Sequence, residues 1–466
     1  MKKTVIAGAI ASLMTAPVMA QNVSTNEELI QKVERLEAEV DYLKENAKAD
    51  RKDGAAKSVV LEGLTTTAAK FVWSGDFRYR HEDIETEGNV GHRERDRIRV
   101  RFAALIKVAD NINTKLQLST TNNGADNARS TNQTMGNSAA GNAAWDRKPV
   151  SFDQAYVEWK PDMFATLQLG KTPIPWATTA SYFWDKDLTP EGGAVKYVNG
   201  PFFATATYDL LSEQNSGSSL LKSTDSKMAS AQIGWKQLLA PTTTLTAAVG
   251  YFNLKSVGGQ PIAYNKAVDQ SCTADASLNP AFSSDGGLGN SVGKGSWNGV
   301  AGTCVLLSDF KLIEAQAQLD FIAGAYPVST FVDYIKNKGA NDSIDINNVN
   351  NGKLDTAYAV GFTFNKASAA KSWEAGVVYQ KTEKDSVYAQ FHDSDFGGGI
   401  TDTSGYALKA AYVPVVGWTM NATYFINKRF NDGAAKNDTT PYAGAITTAK
   451  TSHDYKRLQL DMNYKF

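Results

Sequence analysis

Cysteine and histidine are scarce in this chain, two and four among 466 residues. A structural zinc site, which wants four ligands in tight local spacing, has little to build from. Long apolar runs are missing too: beyond the first twenty residues none approaches the roughly 18 to 20 residues that a membrane-crossing helix needs, and the mean hydropathy is −0.33. A helical membrane protein is excluded. Charge of one sign is also lacking, with 48 Lys plus Arg against 49 Asp plus Glu, so no global field recruits nucleic acid. There is no Gly-x-Ser-x-Gly nucleophile elbow, and His81, His92, His392 and His453 are scattered near loops, where solvated histidines outnumber catalytic ones. Residues 288–295 come close to a phosphate-binding loop, but Leu288 stands where Gly is needed and Gly295 where Ser or Thr is needed. No enzyme is expected.

The N-terminus carries an address. Residues 1–20 read as a secretory signal, with Lys2 and Lys3, an apolar stretch from Val5 to Met14, and Val18-Met19-Ala20 as the cleavage pattern. Leu29, Val33, Leu36, Val40 and Leu43 then recur at spacings of four and three with charges between them, a heptad seam that predicts a short α-helical coiled coil over residues 26–49. Ser24 with Glu27, or Thr25 with Glu28, can cap its start. A lone amphipathic helix lying on the next domain is the alternative; a helix this short is marginal in water, which favours self-association. Residues 50–70, with Gly54 and few large apolar side chains, read as a linker.

From residue 71 to residue 466 the period becomes two. Trp73, Gly75, Phe77 and Tyr79 alternate with Ser74, Asp76, Arg78 and Arg80, and Ile98, Val100 and Phe102 alternate with Arg97, Arg99 and Arg101. Sixteen such segments follow one another, joined by seven short and eight long links in strict alternation. That is what an antiparallel, 16-stranded transmembrane β-barrel of all-β class requires, with tight periplasmic turns and long outer loops. A soluble β-sandwich predicts no such alternation. Val387 to Phe391 also alternates, but an even strand count assigns it to a loop. In hydrocarbon every backbone N–H and C=O must pair within the protein, so strands cross only as a closed ring. The apolar face then meets lipid and the polar face a lumen too wide for side chains to fill, wet unless a loop folds in. Trp159, Trp235, Trp373 and Trp418 lie next to short links, as an aromatic girdle would.

The last segment sets Leu458, Leu460, Met462, Tyr464 and Phe466 against Gln459, Asp461, Asn463 and Lys465. It resembles the C-terminal signature of outer-membrane barrels, which implies that Tyr464 and Phe466 are read by the barrel assembly machinery. Together with the signal, the strand pattern and Gly170-Lys171-Thr172-Pro173-Ile174-Pro175-Trp176, residues 71–466 resemble the porins of Gram-negative bacteria. The coiled coil is similar to the periplasmic extension carried by some porins, a group with sugar-specific and anion-specific members. The resemblance implies a homotrimer in the cell outer membrane, in contact with lipid and lipopolysaccharide, passing small hydrophilic or ionic solutes by diffusion. It also implies that the third long loop, Lys171 to Gly192, folds inward as a constriction and brings Asp185, Lys186, Asp187 and Glu191 with it. Arg95, Arg97, Arg99 and Arg101 share one parity on the second strand, as Arg78 and Arg80 do on the first. An arginine pore wall facing those loop carboxylates would set up a field across the narrowest water. The same arginines could instead pair with Asp76, Glu94 or Asp96 and stiffen the wall.

Cys272 and Cys304 lie in the longest loop without competitors, and export to an oxidising compartment favours a disulfide between them. Closing about 32 residues, it would contribute on the order of 3 to 4 kcal/mol. No cofactor and no metal site are expected, although Asp342, Asp345, Asn347, Asn348 and Asn350, or Asp393 and Asp395, could hold Ca2+ in the outer loops. A second function class stays open: a structural or adhesive barrel whose coiled coil tethers the envelope, with peptidoglycan as the contact.

Overall fold

Strands that alternate apolar and polar side chains need a partner on each edge before they can sit in a membrane. In the computed structural model, which describes residues 37, 40, 69–87, 93–121, 128–136, 145, 147–213, 225–259, 288–297, 300–342, 352–430 and 452–466, sixteen strands supply those edges to one another. They are β1 (Phe71–Thr86), β2 (Arg93–Ala109), β3 (Ile112–Thr120), β4 (Val150–Trp159), β5 (Ala165–Lys171), β6 (Glu191–Asn199), β7 (Phe202–Ser212) and β8 (Ser226–Ala240). The second half is β9 (Thr243–Lys255), β10 (Phe310–Ala323), β11 (Tyr326–Asn337), β12 (Thr356–Phe364), β13 (Trp373–Thr382), β14 (Thr403–Tyr412), β15 (Trp418–Phe430) and β16 (Ser452–Lys465). Each pairs antiparallel with its neighbour, and β16 returns to β1 with Tyr464 opposite Phe77 and Asp461 opposite Arg80, so the ring closes. Two short additions stand outside the ring: Gln133–Thr134 pairs with β2, and Val292–Trp297 pairs with Val300–Leu306 as a separate hairpin. Residues 387–391 lie in a loop, where Ala389–Phe391 forms one 3-10 turn.

The strands belong to a compact unit, Lys70–Phe466. Of the expected coiled coil only Glu37 and Val40 are described, both helical. The signal segment, Leu29, Val33, Leu36 and Leu43 lie outside the described residues, as does Cys272, one half of the expected disulfide.

Outward side chains form an exposed apolar belt that includes Val100, Phe102, Val249, Tyr251, Val332, Tyr334, Val360 and Phe362. Aromatic rings gather at the short-link end of the ring. Trp73 stacks on Phe71 and Phe102, Tyr326 and Phe364 surround Trp373, and Trp418 lies against Tyr464. Two rings also lie over glycines directly across a strand pair, Phe203 over Gly234 and Phe331 over Gly361. A Cβ on Gly361 would run into the Phe331 ring, so glycine is the residue that fits beneath it.

The interior departs from a uniformly polar face. Phe252 and Leu254 on β9, Phe310 and Leu312 on β10, Phe331 and Ile335 on β11 and Phe425 on β15 are all buried. They pack with Trp176, Tyr182, Phe183, Trp184 and Leu188 from the link between β5 and β6. A loop turned into the barrel must hide its own apolar side chains, and this wall is the surface that covers them. Burial of each such side chain contributes about 1.5–3 kcal/mol.

Candidate functional site

The arginines come together on one wall. In the β1–β2 register Arg78 faces Arg99 and Arg80 faces Arg97, while Asp76 faces Arg101 and Glu82 faces Arg95. Like charges directly opposite one another repel, and the carboxylates between them offset that repulsion. Asp76 takes Arg99 at 2.8 Å and Arg101 at 2.7 Å. Glu82, fully buried, accepts from Arg95 and Arg457 and has Arg80 at 3.6 Å and Arg97 at 3.7 Å. Asp461 on β16 holds Arg80 at 2.6 Å. Arg78 is different: it donates to the Asn132 side-chain oxygen at 2.6 Å, makes no ion pair among the described residues, and keeps its Nε buried without a partner.

Facing this wall are three inward segments, from loop 2 (residues 121–149), loop 3 (172–190) and loop 7 (383–402). Loop 3 is seated on the apolar wall, where Trp176 and Trp184 lie 5.2 and 4.8 Å from the Phe252 ring. Polar ties fix its path: Gln232 accepts from Ala177 N–H at 2.8 Å, Gln380 from Tyr182 N–H at 2.9 Å, and Glu314 from the Trp184 indole at 3.0 Å. The Thr179 and Ser181 hydroxyls both donate to Asp333, at 2.7 and 2.8 Å. Loop 7 then lies against loop 3. Asp185 N–H donates to Phe391 O at 2.8 Å, Asp393 N–H to Tyr182 O at 3.1 Å, and the Tyr182 and Phe396 rings stack at 5.2 Å. From loop 2 the buried Arg129 guanidinium donates to three loop 7 carbonyls, Ala389, His392 and Gly399, at 3.0, 3.1 and 2.7 Å.

The four residues expected at the constriction separate. Asp187 does face the wall, 3.5 Å from Arg101 and 3.8 Å from Arg99. Burial works against its charge, yet Arg99, Arg78 and Arg101 hold its carboxyl below the usual range. Asp185 points elsewhere: it accepts from Asp187 N–H and Ser394 N–H, and burial, with Asp393 and Asp187 nearby, pushes its carboxyl well up. Lys186 is exposed, and Glu191 sits at the rim with Lys171 at 2.7 Å. The wall therefore receives one carboxylate from loop 3. Its second comes from loop 7: Asp395 lies 2.8 Å from Arg80 and 2.9 Å from Arg457, and those two guanidiniums, against the effect of burial, keep it well below the usual range. Arg457 was not among the expected site residues, and Asp395 was considered only as a calcium ligand.

Asp76 does pair with the arginines, as the wall-stiffening alternative expects, while Asp96 is engaged by His81 at 2.9 Å and Tyr79 at 2.7 Å. Asp393 accepts from Asp395 N–H and Phe396 N–H, and burial, with Asp395 beside it, pushes its carboxyl up to about 6. His392, buried beside Arg129, is pushed down to about 3, by burial first and the guanidinium second. Of the residues considered for Ca2+, Asp395 is taken up by arginines, and Asp345, Asn347, Asn348 and Asn350 lie outside the described residues. The guanidiniums lie directly against loops 3 and 7, with Arg80, Arg97, Arg99 and Arg457 buried and Arg78 and Arg101 partly exposed, and charges so placed at a constriction sort solutes by charge.

No curated protein sequence matches the chain. Among solved structures it is similar to OprB of Pseudomonas putida at high pH, 12% identical over 89% of this chain and 97% of that one, with a TM-score of 0.49. It is also similar to an anion-selective porin from Comamonas acidovorans, 11% identical over 85% and 99%, TM-score 0.45. OmpT of Vibrio cholerae in its trimer form is 12% identical over 85% and 99%, TM-score 0.42. The family model described as "Putative porin" matches residues 68–462. A closed ring of sixteen strands with an apolar outer belt and a charged inner wall is the form that family match calls for, and the chain belongs to this family of outer-membrane porins.

Proposed function

We propose that the barrel is a channel for passive diffusion of small hydrophilic and ionic solutes, and that its arginine wall gives it a preference for anions. One observation carries the sign. Seven guanidiniums, of Arg78, Arg80, Arg95, Arg97, Arg99, Arg101 and Arg457, meet five carboxylates, of Asp76, Glu82, Asp187, Asp395 and Asp461. Two positive charges are in excess, and Arg78, near the loop 3 carboxylate of Asp187, is the guanidinium of this set with no ion pair among the described residues. In narrow water bounded by protein, one unpaired charge acts over several ångströms because screening there is weaker than in bulk. The homotrimer belongs to the same proposal and comes from the porin resemblance. Family and fold point to a channel rather than an enzyme.

Reversal potential in planar bilayers under a KCl gradient tests the reading. Anion preference is expected in the wild type, reduced in Arg78→Gln and reduced further when Arg97, Arg99 and Arg101 are all replaced by Gln. A cation-selective wild type, or variants with unchanged reversal potential, would sink the assignment. Three inward segments leave less open water than one, which favours the second reading, a structural or adhesive barrel, if the purified protein opens no channels. Peptidoglycan pull-down with and without residues 21–48 then tests the tether.

A further inference from the structure

Where loops 2, 3 and 7 meet near the long-loop end of β5 to β8, they leave a cavity of about 180 Å³. A void of about 150 Å³ is enough to hold a benzene ring, so one small ring with substituents fits. Trp184, Leu188, Met228 and Phe391 give the cavity an apolar floor. Trp176 also lines it, and its indole N–H is buried without a partner. Asp209 on β7 contributes a carboxylate that is 3% exposed, with the Thr207 hydroxyl at 2.6 Å as its side-chain donor and no cation paired with it among the described residues. Lys171 stands at the rim, shared with Glu191 at 2.7 Å and Thr189 O at 3.2 Å.

A buried anion without a cation and a buried donor without an acceptor are each costly. A ligand that relieves both must carry a cation and an acceptor on an apolar body. We propose that this cavity is a docking site for a small α-amino acid with an apolar side chain. Its ammonium lies on Asp209, its carboxylate takes the Trp176 indole N–H and Lys171, and its side chain rests on Trp184 and Phe391. A plain anion meets two carboxylates, Asp209 and Glu191, against one lysine. A neutral sugar leaves the Asp209 charge without a counterion. Binding at this site needs no conduction, and so this inference extends the channel reading without depending on it for binding.

Calorimetry on the detergent-solubilised full chain tests it with four probes: L-phenylalanine, phenylethylamine, 3-phenylpropanoate and glucose. Phenylalanine is expected to bind with Kd on the order of 1 mM, as suits a ligand of its size, with 3-phenylpropanoate and glucose about tenfold weaker or more. Asp209→Asn should weaken phenylalanine and phenylethylamine about tenfold, whereas Trp176→Phe and Lys171→Met should weaken phenylalanine and spare phenylethylamine. The rim variant Lys171→Met keeps the test decisive if a buried variant fails to assemble. Absence of phenylalanine binding, equal binding of 3-phenylpropanoate, preference for glucose, or indifference to Asp209→Asn each overturns the proposal. Binding by a protein that conducts no ions would overturn the channel reading alone.

Discussion

Eight strands around the ring from Arg78 and Arg80, the wall made by β9, β10 and β11 is lined by Phe252, Leu254, Phe310, Leu312, Phe331 and Ile335. Both walls come from strands of period two, yet their inward residues meet different neighbours. The arginine wall is held by countercharges, Glu82 and Asp76 from its own strands and Asp187 and Asp395 from loops. The apolar wall is held by the area it hides under loop 3. One wall depends on electrostatics and sets the field; the other depends on burial and sets where the loop stands.

Removing a ring from the apolar wall should have the largest effect. Phe252→Ala is expected to cost about 3–5 kcal/mol and to unseat Trp176 and Trp184, raising single-channel conductance with little change in ion preference. Unfolding in urea and bilayer recordings check both; unchanged conductance would mean that the wall does not seat the loop. On the other side, Glu82→Gln leaves Arg95 and Arg457 short of an anion and should cost about 2–3 kcal/mol. Here anion preference rises while conductance holds, the reverse pattern to Phe252→Ala.

Loop 7 lies between the walls, and its docking should depend on pH in two opposed ways. His392 is depressed from 6.5 to about 3, so the stability of its neutral form is complete above the unfolded value and is lost as pH falls through about 3. Asp393 is raised from 3.8 to about 6, so its contribution is complete below the unfolded value and is lost as pH rises through about 6. Between about pH 4 and 6 the two offset one another. Hydrogen exchange in loop 7 separates them: His392→Gln should leave the loop tightest in acid, and Asp393→Asn tightest near neutrality. Identical pH profiles in the two variants would refute the assignment. The smallest effect belongs to Lys456→Ala, whose partner Glu85 is largely exposed at 3.6 Å. Stability should change by less than about 1 kcal/mol and reversal potential not at all, which separates rim charges from wall charges.

The strands were legible because lipid and closure demand alternation wherever the chain crosses. The inward parity of Arg97, Arg99 and Arg101 was legible for the same reason. On β9 the signal fails: Tyr251 faces out and Phe252 faces in, and both are apolar, so period alone cannot say which meets lipid. Arg457 was missed although it shares parity with Gln459 and Asp461, because its place beside β1 appears only when the ring is closed. Asp395 was placed in an outer loop as a calcium ligand and not at the wall, because nothing in its neighbourhood marks loop 7 as inward. Asp185 and Asp187 look equivalent in sequence; the N–H groups of Asp187 and Ser394 take the first, and Thr131 with the arginine wall takes the second.

Phe203 over Gly234 and Phe331 over Gly361 have a consequence for the size of the opening. A slip of β12 by two residues, the smallest that keeps its faces, would set the Phe331 ring against the Cβ of Ala359 or Thr363 in place of the bare Gly361 backbone. The rings act as stops that permit one stagger. In a closed sheet the strand number and the stagger together fix tilt and diameter. Two glycines with no charge and no contact with solute therefore help determine the bore of the barrel.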